Sequence, residues 1–282
     1  RLRVSVDADP GASDRNQGMS GRRGHTVGIV QARTTSTRLP GKVLRDLEGE
    51  PMVLRQLERV ARAERLDLIV VATSEDPSDD ALSVAIAEAG YDLVRGSLDD
   101  VLARFVQVID EYQPDVVVRM TADCPLICPS VIDAVVEAFH SSDDDYLSNT
   151  MDPTYPDGLD VEVILANVLR QVNQNTHDAD EREHVTLGIY RHPERYRVAN
   201  FVDPTGISNA HLRWTVDTAE DLEFVRSVYR ELLPVRPAFD YLDVLNLLTV
   251  EPDLVRDDRY ARRNEALDGI DVGVMRHPGG AS

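Results

Sequence analysis

The stretch VGIVQARTTSTRLPGKVL, residues 27–44, joins an apolar run to a loop that is dense in hydrogen-bond donors. The apolar run, taken as 26–32, indicates a buried strand. The loop that follows it contains several hydroxyl side chains and the cations Arg33, Arg38 and Lys42. Because ligands of open α/β sheets bind beyond the carboxyl ends of strands, we expect this loop to form part of a binding site.

Strand-like and helix-like patterns alternate outward from this stretch. Further strands are predicted at 66–73, 91–95, 115–121, 159–165 and 211–217. Helices are predicted at 51–63, 78–89, 98–112, 129–139 and 218–232. The alternation predicts a single α/β domain whose central sheet is mainly parallel and is flanked by helices.

The two ends of the sequence differ from this alternating part. Residues 1–24 are rich in Gly, Arg and Asp without periodicity, which predicts a disordered extension. The alternation continues over 25–250 with no repeat and no linker, and this range is predicted to be one domain. The highly charged segment 251–282 predicts a helical or flexible tail.

Composition limits the class of protein. At 282 residues and 42% hydrophobic content, the chain can bury one substantial core. The formal net charge of −20 argues against nucleic acid or a membrane surface as a partner. The sequence contains neither an apolar run of bilayer length nor the apolar core of a signal peptide, so we expect a cytoplasmic protein.

The donor-rich loop is the exception to this acidic composition. Residues 15–45 contain seven arginines and lysines and no carboxylate, and Lys42 is the only lysine in the chain. Backbone N–H groups of such a turn can form an anion nest, and Gly41 permits close approach. Arg33, Arg38 and Lys42 can neutralise a triphosphate, although the spacing is not that of a P-loop. The alternative is a basic surface turn.

Two aspartates are placed to hold a divalent cation. Asp123 follows the predicted strand 115–121, and Asp217 ends the predicted strand 211–217. Mg²⁺ usually takes one or two protein carboxylates, with phosphates and water as its other ligands. The alternative for Asp217 is structural, because Asp217 or Thr218 can cap the following helix, with Glu220 completing a capping box.

The loop closely resembles the signature of the CMP-sugar synthetases, which include the enzymes for octulosonate and acylneuraminate sugars. It is most similar to the spore-coat polysaccharide biosynthesis F-type cytidylyltransferases. One departure is Thr35, where many relatives carry glycine. The resemblance covers about 26–235 and continues, in order, through VATS (71–74), VRGSLDDVLARF (94–105), VRMTADCPLI (118–127), YPDGLDVEV (155–163), EREHVT (181–186) and RWTVDTAEDLEFVR (213–226).

The resemblance implies a Rossmann-like nucleotide-diphospho-sugar transferase fold, related to A-type glycosyltransferases, and an enzyme that uses CTP with Mg²⁺. It implies that Asp123 and Asp217 bind the metal, and that Arg33, Lys42 and Asp123 are catalytic. Homodimers are common in this group, so a homodimer is expected. The nucleotide-binding residues that it implies are Gln31, Ala32, Arg33, Ser36, Arg38, Gly41, Lys42, Arg95 and Thr121.

Acceptor-binding candidates come from two of the similar segments. Period-two alternation places Asp160 and Glu162 on one face of a strand in the segment that also contains Tyr155. A helix predicted to begin at 181 carries His184, and Arg182 offers a planar fork for a carboxylate or phosphonate. The alternative for the strand is an exposed edge.

The loop and the two aspartates predict nucleotidyl transfer by in-line attack on the α-phosphate with release of pyrophosphate. The resemblance implies that CMP is transferred from CTP to an acidic sugar or similar small acceptor. A phosphonate or a polyol phosphate as acceptor stays open. A second hypothesis is an A-type glycosyltransferase that uses the aspartates at 143–145 for a sugar nucleotide. It leaves the cationic loop unexplained, because a sugar nucleotide has no γ-phosphate. A third hypothesis is a non-catalytic nucleotide-binding protein.

Overall fold

The apolar runs form one sheet of seven strands in the computed structural model, which describes residues 24–255. The strands are β1 Thr26–Gln31, β2 Asp46–Leu47, β3 Glu50–Pro51, β4 Leu68–Ser74, β5 Asp92–Gly96, β6 Val116–Thr121, β7 Tyr146–Ser148, β8 Glu162–Leu165 and β9 Val198–Asn200. The helices are α1 Met52–Val60, α2 Asp80–Glu88, α3 Val101–Tyr112, α4 Pro129–His140, α5 Ala166–Asn175, α6 Ala179–Glu183, α7 Leu187–Tyr190, α8 Ala219–Leu232 and α9 Tyr241–Val250. Short β2 and β3 pair with each other outside the main sheet.

The main sheet has the strand order β5-β4-β1-β6-β8-β7-β9. Strands β5, β4, β1 and β6 are parallel, β8 is antiparallel to both of its neighbours, and β9 is parallel to β7. Gln31 at the end of β1 lies opposite Thr121 at the end of β6. The loops that leave these two central strands therefore start side by side.

Both faces of the sheet are covered. Val27 and Ile29 of β1 pack in a core with α3 and α5, whereas Val30 packs in a second core with α1, α4 and α8. All three side chains are fully buried, and each such burial stabilises the fold by about 1.5–3 kcal/mol. The predicted α/β fold with a mainly parallel, helix-flanked sheet is confirmed.

Three predicted elements differ from the structure. The segment 211–217 is extended but pairs only through an isolated bridge between Asp157 and Arg213, so its alternating pattern reflects the burial of Trp214 and Val216 rather than a strand. The strand predicted at 159–165 begins at Glu162. The helix predicted to begin at 181 is α6, which begins two residues earlier because Asp178 caps it, and which ends at Glu183 before Val185 adopts a φ of 40°.

The predicted ends of the chain lie almost entirely outside the described residues. The extension over 1–24 and the tail over 251–282 therefore stay predictions, as does the domain range 25–250. Within 24–255, no helix combines the length and the apolar character that a bilayer crossing needs.

Candidate active site

The donor-rich loop folds back on itself directly after β1. The N–H groups of Ser36 and Gly41 both donate to the carbonyl of Thr34, each at 2.9 Å. Gly41 adopts a left-handed conformation with φ 69°, which a side chain would strain, and it precedes the 3-10 turn Lys42–Leu44. The turn directs the Lys42 side chain inward, where it is only 8% exposed.

A buried carboxylate anchors this loop to the neighbouring strand. The N–H and hydroxyl of Thr34 donate to Asp79 Oδ1 at 2.7 and 2.8 Å, and Ser74 at the end of β4 donates to Asp79 Oδ2. Burial would raise the pKa of Asp79, but the hydrogen bonds from Ser74 and Thr34 hold it below its usual value. Asp79 therefore fixes where the loop leaves the sheet.

We expect Asp79→Ala to weaken nucleotide binding about tenfold and to lower the free energy of unfolding by about 1–3 kcal/mol, because the half-buried N–H of Thr34 and the buried hydroxyl of Ser74 lose their acceptor. The Michaelis constant for the nucleotide and the thermal midpoint measure the two effects. Asp76→Ala is the matched control, since Asp76 caps the same 3-10 turn through Ser78 but does not contact the loop. Equal Michaelis constants for the two variants would contradict the anchoring role.

Lys42 lies between the two aspartates predicted to bind metal. Its Nζ donates to Asp123 Oδ2 at 3.2 Å, to Asp217 Oδ1 at 2.9 Å and to the carbonyl of Val216 at 2.7 Å. Burial would lower the pKa of Lys42, but the charges of Asp123 and Asp217 raise it above its ordinary value. The structure thus brings together a loop residue and two carboxylates that are distant in sequence.

Asp123 is held as an anion. Its Oδ1 accepts a hydrogen bond of 2.6 Å from the hydroxyl of Thr121, the last residue of β6. Burial would raise the pKa of Asp123, but the charge of Lys42 and the hydrogen bond from Thr121 lower it. A carboxylate with two fixed donors and a low pKa is suited to binding a further cation at neutral pH.

Asp217 does not cap α8 with its side chain. Thr218 is the cap, and the capping box is completed by Asp221, not by Glu220 as predicted, because Asp221 occupies the third helical position. The Asp217 carboxylate instead contacts Lys42 at 2.9 Å, Arg38 at 3.0 Å and Arg213. Thr218 therefore has the capping role, and the Asp217 carboxylate remains a candidate metal ligand.

Two adjoining cavities, of about 380 and 350 Å³, open around this cluster. The residues that line both are Arg38, Arg119, Thr121, Asp123, His184 and Asp217. The first cavity also contains the predicted nucleotide-binding residues Gln31, Ala32, Arg33, Ser36 and Lys42. The second contains the predicted acceptor-binding residues Asp160 and Glu162. The aspartates and Lys42 lie at the junction.

Four predicted contact residues line neither cavity. Gly41 shapes the turn, and Arg95 donates to the carbonyls of Ser74 and Asp76. The other two side chains are held within the fold. Tyr155 is stacked on Phe201, and Arg182 donates to Asp100 at 2.6 Å and to the carbonyl of Thr176 at 3.1 Å. This geometry gives no support to direct ligand contacts by Arg95, Tyr155 or Arg182.

Several lining residues were not predicted. Arg119 on β6 lines both cavities, pairs with Glu162 and donates to Gln31 Oε1 at 3.1 Å. The signal for it was a charged residue inside the apolar run of β6. Arg104 and Glu183 line the first cavity, and Glu183 lies 3.6 Å from Arg33. Arg213 lines the second and has no comparable signal in the sequence.

The donor set suits Mg²⁺. Asp123 and Asp217 already contact one cation, the Lys42 ammonium, and carboxylate oxygens are the ligands that Mg²⁺ prefers. Over 24–255, His, Cys, Asp and Glu side chains form no group of three or more that is arranged to hold a metal. Two carboxylates beside a cationic loop are the typical arrangement for a magnesium ion that arrives with nucleotide phosphates.

Comparison with known proteins agrees with this geometry. Residues 27–234 match the family model described as cytidylyltransferase. The chain is 36% identical over 230 residues to the spore coat polysaccharide biosynthesis protein SpsF of Bacillus subtilis, which covers 80% of this chain and 94% of that protein.

Solved structures share the fold. A cytidylyltransferase from Leptospira borgpetersenii has a TM-score of 0.77 and 27% identity, with 83% of this chain and 97% of that chain covered. A CMP:2-keto-3-deoxy-manno-octonic acid synthetase complexed with CTP has a TM-score of 0.58 and 18% identity, with coverage of 73% and 99%. The family match spans most of the sequence and includes the loop, β6 and the Asp217 segment. The chain therefore belongs to the cytidylyltransferase family and is a nucleotidyltransferase.

Proposed function

We propose that this protein transfers CMP from CTP to an acidic sugar or a similar small acceptor and releases pyrophosphate. The observation that carries the proposal is the Lys42 ammonium within 3.2 Å of Asp123 and 2.9 Å of Asp217, at the junction of two cavities. One cavity is bordered by the donor-rich loop and the other is bordered by polar side chains. The family and the CTP complex of a protein with the same fold support CTP as the donor.

The first cavity suits the triphosphate. Arg33, Arg38 and Lys42 line it together with the hydroxyls of Ser36 and Thr37. The Arg33 pair with Glu183 is about half exposed, so a phosphate can replace Glu183 as the partner of Arg33 at little cost. These donors neutralise charge on the phosphates and on the departing pyrophosphate.

Asp123 and Asp217 would hold Mg²⁺, which when bound offsets negative charge on the phosphate oxygens. Lys42 and Arg38, which contact these carboxylates, lie within reach of the same phosphates. In the reaction, an acceptor oxygen forms a bond to the α-phosphorus while the bond to the pyrophosphate oxygen breaks. The acceptor hydroxyl loses its proton to solvent water. The reaction therefore needs no covalent intermediate on the protein.

The second cavity is lined by five carboxylates and three arginines, so an anionic acceptor depends on the arginine that is most accessible. Arg38, Arg119 and Arg213 line it, but Arg119 and Arg213 have side chains only 14% and 12% exposed and are paired with acids of the fold. Arg38 is 63% exposed and is the arginine best placed to meet an anion. A carboxylate, a phosphonate and a polyol phosphate share this chemistry, and an acidic sugar is the acceptor proposed here.

The glycosyltransferase hypothesis is not favoured by the geometry. Residues 143–145 precede β7, which runs in the same direction as β6, so they lie at the edge where the strands begin. Asp123 lies at the opposite edge, after β6 ends. Asp145 is paired with Arg197 at 2.9 Å, outside both cavities. A metal site for a sugar nucleotide at 143–145 would be separated from the cationic loop by the sheet.

Pyrophosphate release tests the proposed function. We expect release from CTP when an acidic sugar is present, after screening all four nucleoside triphosphates against acidic sugars, a phosphonate and a polyol phosphate. Hydrolysis of a UDP-sugar without pyrophosphate would instead support a glycosyltransferase. Tight CTP binding without turnover on any acceptor would support the non-catalytic hypothesis.

Two further expectations remain predictions. The homodimer is implied by the resemblance, and the cytoplasmic location is the expectation drawn from the sequence. The proposed reaction depends on neither expectation, because all of its side chains come from one chain.

A further inference from the structure

Arg104 on α3 is a buried cation, and two of its three side-chain nitrogens have no hydrogen-bond partner among the described residues. Its side chain is 2% exposed, and its Nε and Nη1 have no hydrogen-bond acceptor within the described range 24–255. Other buried arginines are paired: Arg59 donates to the carbonyl of Ile127 at 2.7 Å and lies over the Phe239 ring, and Arg119 pairs with Glu162. A guanidinium stays charged in proteins and can only donate, so leaving it unpaired is costly.

The position of Arg104 allows a ligand to supply the missing acceptor. Arg104 lines the first cavity, where the donor-rich loop is placed for the phosphates. Burial and the nearby charge of Arg33 lower the pKa of Arg104 by more than the charges of Asp79 and Asp100 raise it. A ligand that fills the cavity can therefore offer an accepting atom to Arg104.

The surroundings of Arg104 favour a base over a phosphate. Val101, on the same helix, lines this cavity together with Ala32 and Ala122, at the ends of β1 and β6. These apolar side chains suit the face of a nucleobase, whereas the cations and hydroxyls that suit phosphates lie on the loop. A base held there would turn an edge toward the Arg104 guanidinium.

We propose that Arg104 recognises the accepting edge of cytosine, formed by its O2 and N3, and so distinguishes CTP from UTP. The inference rests on the proposed function, in which CTP is the donor. The fork of a guanidinium can donate to two adjacent acceptors at once. Uracil carries a hydrogen on N3, so one N–H of the guanidinium would face another donor. This mismatch disfavours binding of UTP.

Equilibrium binding of CTP and of UTP to the full chain tests the proposal. We expect the wild type to prefer CTP, and we expect Arg104→Met to lower the CTP-to-UTP preference by roughly 10- to 100-fold. Arg104→Lys keeps the charge but not the fork, and it is expected to lose most of the preference as well. Arg59→Met is the matched control for loss of a buried arginine, and its preference should equal that of the wild type.

The melting temperature without ligand separates recognition from a structural role. We expect Arg104→Met to melt at or above the wild-type temperature, because it removes a buried charge that has no partner, whereas Arg59→Met melts lower. A melting temperature for Arg104→Met as low as that of Arg59→Met would overturn the proposal. An equal drop in affinity for both nucleotides would also overturn it, since that result indicates a phosphate contact.

Two outcomes in the wild type itself are also decisive. Equal affinity for CTP and UTP would overturn the recognition of cytosine while leaving a nucleotidyltransferase in place. Binding of neither nucleotide would overturn the proposed function together with this inference.

Discussion

Replacing Asp123 by asparagine is expected to lower kcat/KM by about three powers of ten or more. The amide keeps the size of the side chain and can still accept the hydrogen bond from Thr121, but it loses the charge that faces Lys42. A neutral ligand also binds Mg²⁺ more weakly than a carboxylate does. Steady-state kinetics with pyrophosphate release as the readout measure the effect.

Asp145→Asn is the control for this prediction. Asp145 is an aspartate near the opposite edge of the same sheet, where it pairs with Arg197 at 2.9 Å. We expect this variant to keep wild-type kinetics. If Asp145→Asn were inactive and Asp123→Asn active, the metal site would lie at 143–145 rather than at the end of β6.

Lys42→Gln is expected to lower kcat/KM by about two to three powers of ten, since it removes the ammonium at the junction of the two cavities. The variant also leaves Asp123 and Asp217 without their shared cation, although Arg38 and Arg213 still contact Asp217. We therefore expect a loss of roughly 1.5–3 kcal/mol in the free energy of unfolding at neutral pH. Arg45→Gln is the control, because Arg45 ends the same turn but is exposed.

The stability loss of Lys42→Gln should depend on pH with a definite sign. The pKa of Lys42 is raised in the fold, so its contribution is present below its ordinary value of 10.5 and is lost as pH rises through the folded pKa. The pKa of Asp123 is lowered, so its contribution is present above 3.8 and is lost as pH falls through the folded pKa. The difference from wild type should be constant around neutrality and shrink at either extreme. A difference that grew toward low pH would contradict the pairing.

The sequence predicted the fold well because buried parallel strands have a strong local signature. The runs that became β1, β4 and β6 are almost entirely apolar, and helical periodicity separates them. The position of Asp123 follows from the end of β6 alone. Its proximity to Lys42 follows from strand order, because β1 and β6 are neighbours and their carboxyl ends meet at one edge.

The site was predicted less completely, because side-chain partners depend on distant segments. Arg95 and Arg182 lie in segments that resemble the family. Their guanidinium groups, however, donate to nearby carbonyls and, for Arg182, to the carboxylate of Asp100. The importance of Arg104 depends on its burial without a partner, which its helical position cannot indicate. The 211–217 segment shows a related limit. The alternating pattern indicated which side chains of this segment are buried. A strand forms, however, only where a neighbouring strand supplies backbone hydrogen-bond partners.

The ammonium of Lys42 serves as an internal counterion for the two aspartates. Without the ammonium, the like charges of Asp123 and Asp217 would repel each other. This repulsion would weaken the packing of the 211–217 segment against the end of β6. Under the proposed function, Lys42 can therefore hold the two carboxylates in place before Mg²⁺ binds. A chelator is then expected to stop turnover without lowering the melting temperature.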